Sequence, residues 1–234
     1  MRYVGFDLET TGVDPFTDVP VQAAFVERVP SPQGYENRHL QLLINPGRPI
    51  GEASAIHGIT DEMVKDADPL GPSVRAIRGH LEMLWGGGVV IVGMNVSYDL
   101  TMVNACLLRL RERPLRVGRV LDVLVIDRAM DKWRKGPRKL GALYQHYLGR
   151  ELENAHGAAV DALAALEVLA AQGERWPFLE KVAYDPNATL AGWYRSWAEG
   201  FSEYLVRKGE PAFEPGRLNW PVHTNDATGA TLAL

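Results

Sequence analysis

Two acids set two residues apart stand near the start of the chain, Asp7 and Glu9 in the run Phe6-Asp7-Leu8-Glu9-Thr10-Thr11-Gly12. On a β-strand successive side chains point to opposite faces, so Asp7 and Glu9 share one face while Val4, Phe6 and Leu8 take the other. Side-by-side carboxylates on a half-buried strand repel each other and resist desolvation. A bound divalent cation compensates both costs. A solvated edge face would also tolerate two acids, but the apolar neighbours and the Thr-Thr-Gly turn make it the poorer reading.

Two more acids ask the same question. Asp99, in Asn95-Val96-Ser97-Tyr98-Asp99-Leu100, follows a buried strand and lies near the start of a helix. Helical spacing aligns it with Val103, Cys106 and Leu110 and turns it inward. An Asp serving a helix N-terminus is common, yet an inward carboxylate needs a partner, and a cation shared with Asp7 supplies one. Asp161 and Glu167 are the only charged residues between Gly157 and Ala171, so Asp161 interrupts an otherwise apolar helix. His156 precedes that helix by two residues. A lone histidine is more often structural, but beside a carboxylate cluster it is a candidate general base, with a pKa near working pH. Asp7, Glu9, Asp99 and Asp161 suit hard cations such as Mg²⁺ or Mn²⁺ better than zinc, because no cysteine cluster accompanies them. Such a set can hold two ions roughly 3.5–4 Å apart, the arrangement that supports in-line displacement at phosphorus.

These residues need elements to hold them. Residues 2–9 read as a strand, and Val21–Val29 and Arg38–Ile44 as two more, joined antiparallel through Pro-Ser-Pro-Gln-Gly. Thr60 reads as the N-cap of a short helix. Val74, Ile77, Leu81 and Leu84 recur at helical spacing up to Gly86–Gly88. Val89–Met94 then reads as a buried strand, Tyr98–Arg111 as a helix and Val120–Ile126 as another strand. Leu140–Leu148 and Ala158–Gln172 read as helices, the second capped by Gly173. Strands first and alternation afterwards predict an α/β mixed sheet covered by helices. From Trp176 the composition shifts, four of six tryptophans falling after residue 175. Leu190, Trp193, Trp197, Phe201 and Tyr204/Leu205 form an amphipathic stripe closed by Gly209, and an extended tail is expected after it. Residues 1–175 and 176–234 are therefore read as a catalytic domain and a helical, Trp-rich extension that packs on the domain or on a second copy.

Composition narrows the class. The chain has 234 residues, 46% of them apolar, enough for a substantial core. It lacks a run of eighteen apolar residues, and polar residues stand where a signal peptide needs an apolar segment, so a cytoplasmic protein without membrane association is expected. Its single Cys106, in an apolar run, reads as a buried thiol. A net charge of −4 counts against a strong nucleic-acid binder unless basic groups are concentrated locally. One such concentration exists: five basic residues in the eight from Lys132 to Lys139, with Trp133 among them. Arg138 is a candidate for backbone phosphates and Trp133 for base stacking, although charge runs are usually just solvated surface.

The segments FDLETTG, NVSYD and HGAAVDA, in this order and separation, closely resemble the DEDDh exonucleases, over about residues 1–172. The combination is specific, each segment alone much less so. The resemblance implies a ribonuclease H-like fold and a two-metal 3′→5′ exonuclease. Asp7, Glu9, Asp99 and Asp161 would be the metal ligands and His156 the base. It also implies that Ala55–Thr60, with His57, lines the pocket for the terminal nucleotide, and that Thr10 meets the terminal sugar or phosphate. Thr11 and Tyr98 are further substrate-binding candidates. The expected substrate is a single-stranded 3′ end, DNA favoured over RNA, with release of nucleoside monophosphates. The alternatives are an enzyme trimming RNA or short oligonucleotides, and a non-catalytic binding module. A polymerase or a second copy of the chain are the protein partners considered, but neither a polymerase-binding tail nor a clamp-binding peptide is recognisable.

Overall fold

A computed structural model describes residues 1–153 and 157–225. Alternating apolar residues build a long antiparallel hairpin against the first strand: β1 (Tyr3–Thr10), β2 (Pro20–Ser31) and β3 (Gly34–Asn45). Two 4-residue helices follow, α1 (Ser54–His57) and α2 (Asp61–Val64), the latter capped by the Thr60 hydroxyl as expected. The two-residue β4 (Asp68–Pro69) leads into α3 (Leu70–Gly86), which buries Val74, Ile77, Leu81 and Leu84. Then come β5 (Val90–Gly93), α4 (Val96–Arg109), β6 (Val120–Asp122) and α5 (Val123–Met130). Among the described residues the remaining α-helices are α6 (Leu140–Leu148), α7 (Ala158–Arg175), α8 (Leu179–Val182) and α9 (Pro186–Arg207).

The six strands form one mixed sheet in the order β4-β3-β2-β1-β5-β6, flanked by helices. β1 pairs antiparallel with β2 but parallel with β5, and β5 with β6. The C-terminal ends of β1, β5 and β6 therefore lie along one edge of the sheet, from which α4 and α5 also start. Pairing of β1 with β5 covers only Tyr3–Gly5, so the last half of β1 runs past its neighbour and its inner edge is open to side chains. On the other side the β1–β2 register slips between Glu9 and Thr10, with Thr10 opposite Pro20. Proline cannot donate to the ladder, and the irregularity falls at the end of the acidic strand, where such bulges re-aim side chains.

Several element bounds differ from the sequence reading by one to four residues, and three departures have a local cause. The apolar run Val120–Ile126 is a strand for three residues only. The Asp122 carboxylate accepts hydrogen bonds from Leu124 and Val125 N–H, and N-capping turns the rest of the run into α5. α7 continues through Gly173 to Arg175, since Gly173 keeps an ordinary negative φ and does not cap. Leu110 lies just past α4 and is exposed, unlike Val103 and Cys106, which are buried.

The main core gathers Phe6, Ile91, Leu100, Leu107, Ile126 and Leu143 together with Leu190, Tyr194 and Ala198 of α9 and Trp220 and Val222 beyond it. Asn187 at the start of α9 completes the outer strand. Its side chain accepts from Val120 N–H at 3.0 Å and donates to the Gly118 carbonyl at 2.8 Å. No helix among the described residues is long and apolar enough to cross a membrane, and Cys106 is a buried free thiol.

Candidate active site

Strand alternation places Asp7 and Glu9 on the face of β1 that α7 crosses, and Asp161 stands in the first turn of that helix. Carboxylate oxygens of Asp7, Glu9 and Asp161 lie within 4.8 Å of one another. The closeness depends on Gly5. A Cβ at that position would sit 2.3 Å from the Ala162 carbonyl oxygen, so only glycine lets α7 approach the strand this far.

Asp99, 4% exposed, stands beside this group. Its Oδ1 accepts the Leu8 N–H at 3.1 Å, on the part of β1 that β5 no longer covers. The hydrogen bond fixes the carboxylate against the acidic strand and accounts for its standing outside the tightest trio. Burial raises the Asp7 carboxyl well above the usual range, and the charges of Asp99, Asp161 and Glu9 raise it further. Glu9 is pushed up to about 7, by burial first and Asp161 second. Asp99 is raised as well, by burial foremost, against the pull of its backbone hydrogen bonds. This edge thus concentrates negative charge in a partly dry place. The donor set is all oxygen, with no cysteine, which fits a hard divalent cation. His156 lies outside the described residues.

A second layer of contacts shapes the rim. His57 accepts the Ile59 N–H at its Nδ1 (3.1 Å), so its proton sits on Nε2, which donates to the Thr10 carbonyl at 3.2 Å. Burial lowers its pKa, and the neutral ring clips the 54–60 segment to the end of β1. The Thr10 hydroxyl donates to the Gly12 carbonyl at 2.8 Å and lies 3.1 Å from the Tyr98 hydroxyl, which also donates to Gly12. Thr10, His57 and Tyr98 therefore form one connected rim beside the carboxylates. Thr11 belongs to the adjoining loop, donating to Asp18 at 2.9 Å and accepting the Val19 N–H. Trp133 is 84% exposed. Arg138 is turned inward, paired with the fully buried Asp127, so the phosphate contact expected of it has a competing internal partner.

Asp122 escaped the sequence reading. Besides capping α5, its Oδ1 accepts the Asn95 N–H at 3.0 Å, where Asn95 adopts a left-handed φ of 58° just before α4. One fully buried carboxylate thus ties the end of β6 to the turn that delivers Asp99. Burial raises its pKa to about 6. A lone acid inside an apolar run was the available signal, being the signature of a cap rather than of a continuing strand.

Residues 4–169 match the Exonuclease family represented by RNase T. The chain belongs to the DEDDh-type exonuclease family. It is 36% identical over 129 residues to a DNA polymerase III subunit epsilon-like protein of Rhodobacter capsulatus, covering 54% of this chain and 16% of that one. It is 30% identical over 168 residues to the PolC-type DNA polymerase III of Bacillus subtilis, covering 71% of this chain and 11% of the polymerase. Among solved structures, Escherichia coli exonuclease I with single-stranded DNA superposes with a TM-score of 0.62 at 20% identity, over 83% of this chain and 43% of that one. Exonuclease I of Methylocaldum szegediense gives 0.56 at 25% identity, over 75% and 41%. The mixed sheet with flanking helices is the ribonuclease H-like fold of this family. The chain spans less than half the length of each of these relatives.

Proposed function

We propose that this protein is a metal-dependent 3′→5′ exonuclease that releases nucleoside monophosphates from single-stranded DNA ends. The convergence of Asp7, Glu9 and Asp161 within 4.8 Å, with Asp99 alongside, is the observation that carries the reading. Divalent cations held by these acids would neutralise phosphate charge and acidify water at neutral pH. The protein's own residues do the rest. Leu8 N–H restrains Asp99, and Gly5 brings Asp161 onto the strand. Thr10, His57 and Tyr98 offer a fixed rim for the terminal sugar and phosphate. His156, five residues before Asp161, would accept the proton of the attacking water. Mg²⁺ or Mn²⁺ suits the oxygen ligands. DNA is favoured over RNA because the relatives include DNA polymerase III proteins, and exonuclease I was solved with single-stranded DNA.

The test is direct. Purified protein is incubated with 5′-labelled single-stranded DNA and RNA of equal sequence, in Mg²⁺, Mn²⁺ or chelator, with Asp7→Ala as control. A metal-dependent ladder shortening from the 3′ end, faster on DNA and absent in the variant, is expected. A ladder that persists in Asp7→Ala would remove the carboxylates from the mechanism, and a strong preference for short RNA would move the substrate to the trimming class.

A further inference from the structure

The basic run ahead of α6 is divided by the fold into an internal brace and an external display. Asp127, fully buried, pairs with both Arg134 and Arg138 and also accepts the Tyr147 hydroxyl at 2.7 Å. Arg138 donates to the carbonyls of Asp131 at 2.8 Å and Lys132 at 3.2 Å, and Arg134 to that of Pro137 at 3.2 Å. Both guanidinium groups are thereby used to hold the loop's own backbone. The side chains left outside are Lys132, Lys135, Lys139 and Trp133. The indole is 84% exposed, with the Lys132 ammonium 5.3 Å from its ring. A large aromatic group kept in water gains nothing from folding. Mounted on a cross-braced loop, it loses little conformational freedom when a planar ligand stacks on it.

We infer that this loop is a second nucleic-acid contact, in which Trp133 stacks on a base of the single strand and Lys132, Lys135 and Lys139 meet its phosphates. It rests on the exonuclease reading above and adds a place where the strand is held away from the cut. Its distance from the carboxylates follows from α7. Asp161 lies in the first turn of that helix and Arg175 in its last, where Arg175 pairs with Asp131 at 3.5 Å. Those fourteen residues at 1.5 Å each place the start of the loop about 20 Å from the cluster. At 3.4 Å per stacked nucleotide, that is about six nucleotides upstream of the 3′ end.

The test is equilibrium binding of 5′-labelled single-stranded DNA by the full chain in chelator, using strands of 3, 6 and 12 nucleotides over a range of salt. Trp133→Ala is expected to weaken the 12-mer about 5-fold or more. Substituting Lys132, Lys135 and Lys139 together by alanine should reduce the slope of log affinity against log salt by about 2. A trinucleotide, too short to reach both the loop and the carboxylate cleft, should bind wild type more weakly than the 12-mer does. Unchanged unfolding midpoints establish that the variants are folded, as expected for exposed positions. If the loop variants bind the 12-mer as wild type does while wild type degrades DNA, the platform falls and the enzyme reading stands. If wild type binds DNA through this loop but shortens no substrate, the exonuclease reading falls and the platform stands.

Discussion

Replacing Glu9 by glutamine should make the metal-free protein more stable and the metal-loaded protein relatively less so. The Glu9 carboxyl is pushed from 4.5 to about 7. Between those values the folded state binds a proton that the unfolded chain has released, so stability falls as pH rises through this window. The whole shift corresponds to about 3 kcal/mol at 1.36 kcal/mol per unit. Glu9 is only half-buried, and screening by solvent reduces this to about 1–2 kcal/mol. Glu9→Gln removes the titration. In chelator at pH 8 the variant should therefore melt about 2–8 °C above wild type, at 2–4 °C per kcal/mol for a chain of this size. Near pH 4.5 the difference should vanish. Adding Mn²⁺ at a hundred times its Kd should stabilise wild type by about 2.7 kcal/mol, and the variant by less because one charged ligand is gone. The variant's lead in melting temperature should therefore narrow between chelator and metal. Differential scanning fluorimetry over pH 4.5–8.5, with and without Mn²⁺, reads all four conditions. A variant no more stable than wild type in chelator at pH 8, or an equal metal shift in both proteins, would refute the argument that these acids are a strained cluster awaiting a cation.

Three other perturbations test supports of the site and of the surrounding fold. Gly5→Ala places a Cβ 2.3 Å from the Ala162 carbonyl. It should cost about 1–3 kcal/mol and lower the Mn²⁺-induced rise in melting temperature, since Asp161 is displaced; an unaffected metal response would show that the close approach does not matter. Asp122→Ala leaves the Leu124, Val125 and Asn95 amides without their acceptor. A loss of about 2–4 kcal/mol in urea unfolding is expected, and a loss below 1 kcal/mol would deny it that bracing role. His223, whose Nδ1 donates to the Asn219 carbonyl, is held at about 4 by burial. The unfolded chain takes up the proton first as pH falls from 6.5, so this residue's contribution, about 3 kcal/mol, is present above 6.5 and lost towards pH 4. His223→Gln should flatten that part of the stability profile, and an unchanged slope would assign the acid sensitivity elsewhere.

The sequence by itself carried the local part of the answer. Strand alternation is a covalent consequence of β geometry, so Asp7 and Glu9 were bound to share a face once the first run was read as a strand. An acid inside an apolar helix, as at Asp161, marks itself because burying a charge is costly. The α3 periodicity and the Thr60 cap were legible for the same reason: both depend on residues within a turn or two of each other. What needed the fold were contacts between residues far apart in the chain. The Asp99 bond to Leu8 N–H exists because β5 stops pairing at Gly5 and leaves the rest of that strand edge open. Whether a run such as Val120–Ile126 stays a strand depends on Asp122 finding amides to cap and a turn to hold, and apolar pattern alone does not distinguish these outcomes. The basic run shows the limit most clearly. Its five positive charges are alike on paper, and only the position of Asp127 beneath the loop decides that two of them are structural and three face the solvent.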